Sequence, residues 1–190
     1  IQETDKLIEF LAAMENYFHG SSSGIDPLQC YLGKPFILNG QQTTNNKHQI
    51  LNQDFISENI HIFLIDTKII SPRSPLVNTF KENRKDKLYL EKFNNIYVPL
   101  VNSCISSLIN KDDNTFFNLL LQLSTMQTEM LGHTIPENVK EFFFFDINKN
   151  HFQVKLCGAG GGGYLLGFTK DIEQTKRFWQ NTEYQIHWVK

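Results

Sequence analysis

Two clusters in this 190-residue chain have the residue types and spacing that chemistry requires. The first runs Glu15…His19-Gly20-Ser21-Ser22-Ser23-Gly24-Ile25-Asp26. Glu15 and His19 stand four apart, on one face of a helix. The chain then leaves that helix through a Ser/Gly turn and presents a second carboxylate, Asp26. A carboxylate on a helix with another on the following turn suits a divalent cation and a proton acceptor. Magnesium prefers oxygen ligands and keeps several waters, so one protein carboxylate plus phosphate oxygens suffices. The competing reading is a polar helix end with a serine-rich cap and a solvated glutamate.

The second cluster is Lys155-Leu156-Cys157 followed by Gly158–Gly163, where five of six residues are glycine. So many glycines are costly in chain entropy. They allow successive amides to point into one concavity, an anion nest whose natural ligand is a phosphate. The competing reading is a tight strand-to-strand connection or a close backbone crossing. The run matches neither GxxxxGK[ST] nor a GxGxxG that opens a helix. Other candidates are weaker. A Ser23, His19 and Asp26 triad lacks a nucleophile elbow. His48, His61, His133, His151 and His187 are scattered without metal-ligand spacing.

Helices and strands must position these clusters. Residues 1–18 carry Leu7, Leu11, Met14 and Phe18 on one stripe, which predicts an amphipathic helix. Gly20 ends it, and the stretch from Ser21 to Pro27 is expected as a turn. Short strands are expected at 35–39 and near Gln49–Leu51, and a firm one at 60–66 (IHIFLID). Helices are expected at 75–86, 88–110 and 115–132, the last capped by Asp112-Asp113-Asn114 and stopped by Gly132. A short helix at 137–145 follows. Strands at 152–156 and 165–168 flank the glycines, with a helix at 171–181 and a last strand at 184–189. Strands and helices mix without strict βαβ alternation, which predicts an α+β layer: one antiparallel sheet with helices on one face.

Composition excludes several classes. Sixteen Phe and 41% apolar residues exclude a disordered chain, and a net charge of −2 offers no basic field for nucleic acid or an anionic membrane. No apolar run approaches the roughly 20 residues of a membrane helix, and no signal peptide opens the chain. Cys30, Cys104 and Cys157 are odd in number and far apart, which points to reduced thiols and a cytoplasmic location. Residue 1 is Ile, inside what reads as a running helix. The expectation is therefore the later part of a longer protein, or a processed chain.

Taken together, the clusters resemble a known family. Glu15–Asp26 (E-N-Y-F-H-G-S-S-S-G-I-D) resembles the E-x-x-x-H-G-x-P-S-G-x-D signature of mevalonate kinases, in the GHMP kinase superfamily. Lys155–Tyr164 (K-L-C-G-A-G-G-G-G-Y) is similar to that family's K-L-T-G-A-G-G-G-G-C. A third stretch, Phe63–Lys68 with Ser71-Pro72-Arg73-Ser74 and Leu76-Val77, resembles a family strand reading L-T-N-T-K-V-P-R-S-T-x-x-L-V. Order and spacing fit, and the resemblance spans nearly the whole chain.

The resemblance implies a fold and a role for each matching residue. Residues 1–59 would end an N-terminal α+β kinase domain. Residues 60–190 would form the ferredoxin-like C-terminal domain. Glu15 would bind magnesium and Asp26 would be the catalytic aspartate. His19 and Ser23 would hold the substrate, with Thr67 facing the acceptor. Gly158, Ala159, Gly160, Gly161 and Gly162 would shape the phosphate loop. ATP and Mg²⁺ are the implied cofactors, and phosphorylation of mevalonate or a similar hydroxyl is the implied reaction. Another GHMP kinase, for phosphomevalonate or a sugar, or a non-catalytic binding relative, is the alternative. A homodimer is left open. Three positions depart from the signatures: Ser22 replaces Pro, Cys157 replaces Thr and Tyr164 replaces Cys. The P-x-x-x-G-L-G-S-S loop and the N-terminal lysine of these kinases are not among the 190 residues. Both are expected before residue 1, so the chain alone is expected to be inactive.

Overall fold

A computed structural model describes residues 2–19, 22–38, 48–51, 54–70 and 73–189. The side chains of residues 2–5, His19, Leu38, His48, Arg73 and Ser74 lie outside the description. The chain forms two compact units, Ile1–Phe55 and Ile56–Lys190.

In the first unit, helix α1 spans Gln2–His19 and α2 spans Ile25–Leu32. Strands β1 (Phe36–Leu38) and β2 (His48–Ile50) pair antiparallel. Helix α2 differs from the turn expected around Asp26. Pro27 was the signal against a helix there, yet it falls in the first turn, where a missing amide breaks no hydrogen bond. Gly24 precedes the helix at φ 74°, and Gly33 follows it at φ 58° and donates back to the Gln29 carbonyl. Leu28 is the fully buried residue of this helix.

The second unit is built on one sheet. Its strands are β3 (His61–Asp66), β4 (Phe152–Leu156), β5 (Tyr164–Thr169) and β6 (Gln185–Val189), in the order β4-β5-β3-β6 with every pair antiparallel. Numbered within the unit, that order is 2-3-1-4, the ferredoxin-like arrangement. The helices are α3 (Arg73–Asn83), α4 (Lys87–Lys92), α5 (Val98–Ile109), α6 (Asp113–Met130), α7 (Ile147–Asn150) and α8 (Ile172–Gln180). A π turn, Phe93–Tyr97, joins α4 to α5, and Glu137–Phe144 is a 3₁₀ segment. Asp86, Asp112, Asp146 and Asp171 each cap a helix by accepting a main-chain N–H with the side chain.

The α+β class and the single antiparallel sheet agree with expectation. The placement of the helices does not. Phe63, Ile65, Phe152, Val154 and Leu165 share one face and pack against Trp179 of α8 and Val139, Phe142 and Phe143 of the 3₁₀ segment. Ile62, Leu166 and Phe168 alternate with them, so they point the other way, and pack against Phe116, Phe117 and Leu120 of α6 and Cys104 of α5. Helices therefore cover both faces rather than one. The cause is legible in Ile62-Phe63-Leu64-Ile65, a continuous apolar run that must bury both sides. Phe63 is the centre of the first core, fully buried among Phe152, Trp179 and Trp188. Its ring occupies the space over Gly167, where a Cβ would sit 2.4 Å from the Phe63 ring tip. Burying such a side chain is worth about 2–3 kcal/mol.

The outer edge of β4 is closed by side chains of α6. Ser124 Oγ donates to the Val154 carbonyl, and the Leu156 N–H donates to Gln127 Oε1 at 2.9 Å. An open edge is thereby sealed, and the strand that leads into the glycines is held in place.

Candidate active site

Glu15 and Asp26 lie on either side of a turn that folds back on α1. Gly24 is buried against that helix, and a Cβ there would meet the Ile8 carbonyl oxygen at 2.4 Å. Only glycine combines that approach with a positive φ. The serines organise the turn. Ser22 Oγ donates to Glu15 Oε2 and accepts the Gly24 N–H at 3.0 Å. The Ser22 N–H donates to Asn16 Oδ1. Ser23 Oγ accepts the Ile25 N–H at 3.4 Å. Glu15 is half-buried and Asp26 exposed. Among the described residues Asp26 has no hydrogen-bond partner, and it does not cap α2. His19 ends α1, and its side chain is outside the description. Ser22 carries the contact to Glu15, a role that motif matching missed because the resembling signature has proline there.

The glycine run in the second unit is a close crossing as much as a cradle. The Gly161 N–H donates to the Thr134 carbonyl and the Gly163 N–H to the Ile69 carbonyl at 2.7 Å. Thr67 closes the loop from the other side. Its N–H and its hydroxyl both donate to the Gly163 carbonyl, at 2.9 and 2.8 Å. The Thr67 hydroxyl, in a residue 2% exposed, is thus spent on holding the loop. A Cβ on Gly160 would lie 2.5 Å from the Thr134 carbonyl oxygen, and one on Gly162 would lie 2.3 Å from that of Ile69. The amides of Gly161 and Gly163 are therefore committed to protein carbonyls. Gly158, at φ 68°, has nothing within 4 Å of a Cβ position, and with Ala159 it forms the open shoulder of the loop. Thr134 and Ile69 were invisible to motif reading, because nothing local marks the carbonyl that a glycine will meet.

Lys155 enters the loop from β4. Its Nζ donates to the Leu156 carbonyl at 2.6 Å, and burial pushes the ammonium below its usual value, against the opposing pull of the Cys157 and Cys104 sulfurs. Burial likewise pushes the Cys104 thiol up to about 11, with Lys155 acting against it. Cys104 is an inert core thiol, while Cys157 is exposed at the loop entrance. Among the described residues, no group of three or more His, Cys, Asp or Glu is placed to hold a metal ion. No described helix is long and apolar enough to cross a membrane.

Solved structures match this architecture. Mevalonate kinase from L. major, in complex with R-mevalonate, matches 87% of this chain and 49% of its own, with a TM-score of 0.66 and 16% identity. The chain shares the fold of the GHMP kinases. Phosphomevalonate kinase from Streptococcus pneumoniae matches 77% of this chain and 45% of its own, with a TM-score of 0.56 and 16% identity. The same enzyme in complex with phosphomevalonate and AMPPNP matches with the same TM-score and identity. The chain thus spans about half the length of these kinases. No protein-family model matches the sequence. No curated protein sequence matches it either.

Proposed function

We propose that this chain is part of an ATP- and Mg²⁺-dependent kinase that phosphorylates a small-molecule hydroxyl, with mevalonate as the first acceptor to test. The observation that carries the reading is the turn between α1 and α2. A half-buried Glu15 stands on the helix, and an exposed Asp26 without a partner among the described residues follows it. The likeness to kinases in complex with R-mevalonate, or with phosphomevalonate and AMPPNP, supports the same reaction class. Phosphomevalonate is the second acceptor, because the pneumococcal enzyme shares the fold.

Little covalent chemistry is asked of the protein in phosphoryl transfer. It positions the acceptor and neutralises charge. Asp26 accepts or orients the acceptor's hydroxyl proton. Ser23 and His19 position the acceptor. Thr67 holds the glycine loop in register. The amides of Gly158 and Ala159 face the phosphates, while Gly160, Gly161 and Gly162 set the loop's shape. The donor set fits magnesium as a single anchoring carboxylate, Glu15, steadied by the Ser22 hydroxyl, with phosphate and water oxygens completing the shell. A bound magnesium ion supplies neutralisation of phosphate charge.

ADP release by the full gene product, over R-mevalonate, phosphomevalonate and galactose, tests the reading. Turnover with R-mevalonate is expected, and silence on all three rejects it. Glu15→Gln is expected to shift the Mg²⁺ dependence of the rate to higher concentration, with excess Mg²⁺ restoring part of the loss. A Mg²⁺ curve that superimposes on that of the wild type removes Glu15 from the metal site.

A further inference from the structure

The glycine loop also closes one side of a pocket of about 240 Å³, where Gly158 and Ala159 meet a wall of hydrocarbon. Phe80 of α3 and Phe93 and Tyr97 of the π turn supply its rings. Among the described residues, no charged side chain lines it.

The pocket is built. A π turn inserts a residue into a helix and often marks a functional site. Here it sets Phe93 and Tyr97 side by side, with ring centroids 5.3 Å apart and planes 24° apart. Phe80 meets Phe93 edge-on at 5.5 Å. Gln127, buried under this wall, donates to the Tyr97 hydroxyl at 3.2 Å and accepts the Leu156 N–H at 2.9 Å. One amide thus ties the aromatic wall to the strand that enters the glycine loop. Polar groups line it too: the Gly158–Ala159 backbone and Thr134, whose hydroxyl donates to the Leu131 carbonyl at 2.8 Å.

Shape and lining select the ligand. An apolar cavity of about 150 Å³ holds benzene, so this one scales to roughly nine heavy atoms. The apolar walls exclude a sugar or a free phosphate, since either would bury unpaired polar groups. We propose that the pocket binds an aliphatic amphiphile of about six to eight carbons, its chain along Phe80, Phe93 and Tyr97 and its polar head at Thr134. This site borders the proposed phosphate loop at Gly158 and Ala159, and its ligand is separate from the acceptor of that reaction.

Straight-chain alcohols from butanol to dodecanol, titrated into the full gene product by calorimetry, test the site. Affinity is expected to tighten about fourfold per added methylene, then level near eight carbons. Val77→Phe fills the pocket from α3. Val77 is 40% exposed, so the larger ring costs no core space. This variant is expected to weaken octanol at least tenfold with an unchanged melting temperature. Phe93→Ala is expected to move the levelling point to longer chains; should that variant not fold, Val77→Phe decides alone. Three outcomes overturn the site: octanol affinity unaffected by Val77→Phe, affinity still rising at dodecanol, or no binding of any alcohol at millimolar concentration.

Discussion

Asp26→Asn is expected to lower kcat by about 10²–10⁴, the range for a positioned proton acceptor. That corresponds to roughly 3–5 kcal/mol on the barrier. KM for the acceptor should change little, because an Asn keeps the shape and the hydrogen bond. Folding should be nearly untouched. Asp26 is exposed, and among the described residues it has no partner. Its one structural contribution is a negative charge in the first turn of α2, worth about 0.3–1 kcal/mol. If the carboxylate served only the helix, the variant would lose that stability and keep its turnover. Steady-state kinetics on the full gene product, beside thermal unfolding, separate the two. A near-native kcat would end the catalytic assignment.

The second large effect falls on stability. Gly162→Ala should destabilise the second unit by about 3 kcal/mol or more, from a strained dihedral and an overlap together. Gly162 has φ 138°, and a Cβ there would lie 2.3 Å from the Ile69 carbonyl oxygen and 2.8 Å from its carbon. Neither atom can rotate away, since both are backbone. For a unit of this size the melting temperature should fall by roughly 10 °C. Gly158→Ala is the internal control. Its φ is 68° but nothing lies within 4 Å, so only the left-handed dihedral penalty of about 1 kcal/mol applies. If the glycines served a phosphate alone, the two substitutions would cost the same in the absence of ligand. Equal melting temperatures would therefore overturn the close-crossing reading.

Much of the fold was legible because its causes are local. Helix α6 follows from Asp112, which caps it three residues from the N–H that it accepts. Helix α8 follows from Asp171 in the same way. The strands of the second unit follow from apolar and β-branched runs. Helix α2 was missed because Pro27 reads as a breaker, although the first turn tolerates it. The π turn was missed because Phe93–Tyr97 carries the same apolar spacing as the helices on either side.

The candidate site divides along the same line. Local sequence determined that Glu15 and Asp26 flank a serine turn, and that a glycine run follows β4. These are matters of neighbours and short spacings. Only the tertiary structure decided what each glycine faces. Thr67 and Gly163 are 96 residues apart and meet through the β3–β5 register. Thr134 and Ile69 reach the loop from separate connections, and Gln127 reaches Tyr97 and Leu156 from a third element. Likewise, the run Ile62–Ile65 required burial on both sides, but which helix covers which face was set by packing. The physical reason is that a residue's own dihedrals and its contacts within a turn or two are written in adjacent positions. The partner of a backbone amide or a ring is chosen by register and packing across the whole unit.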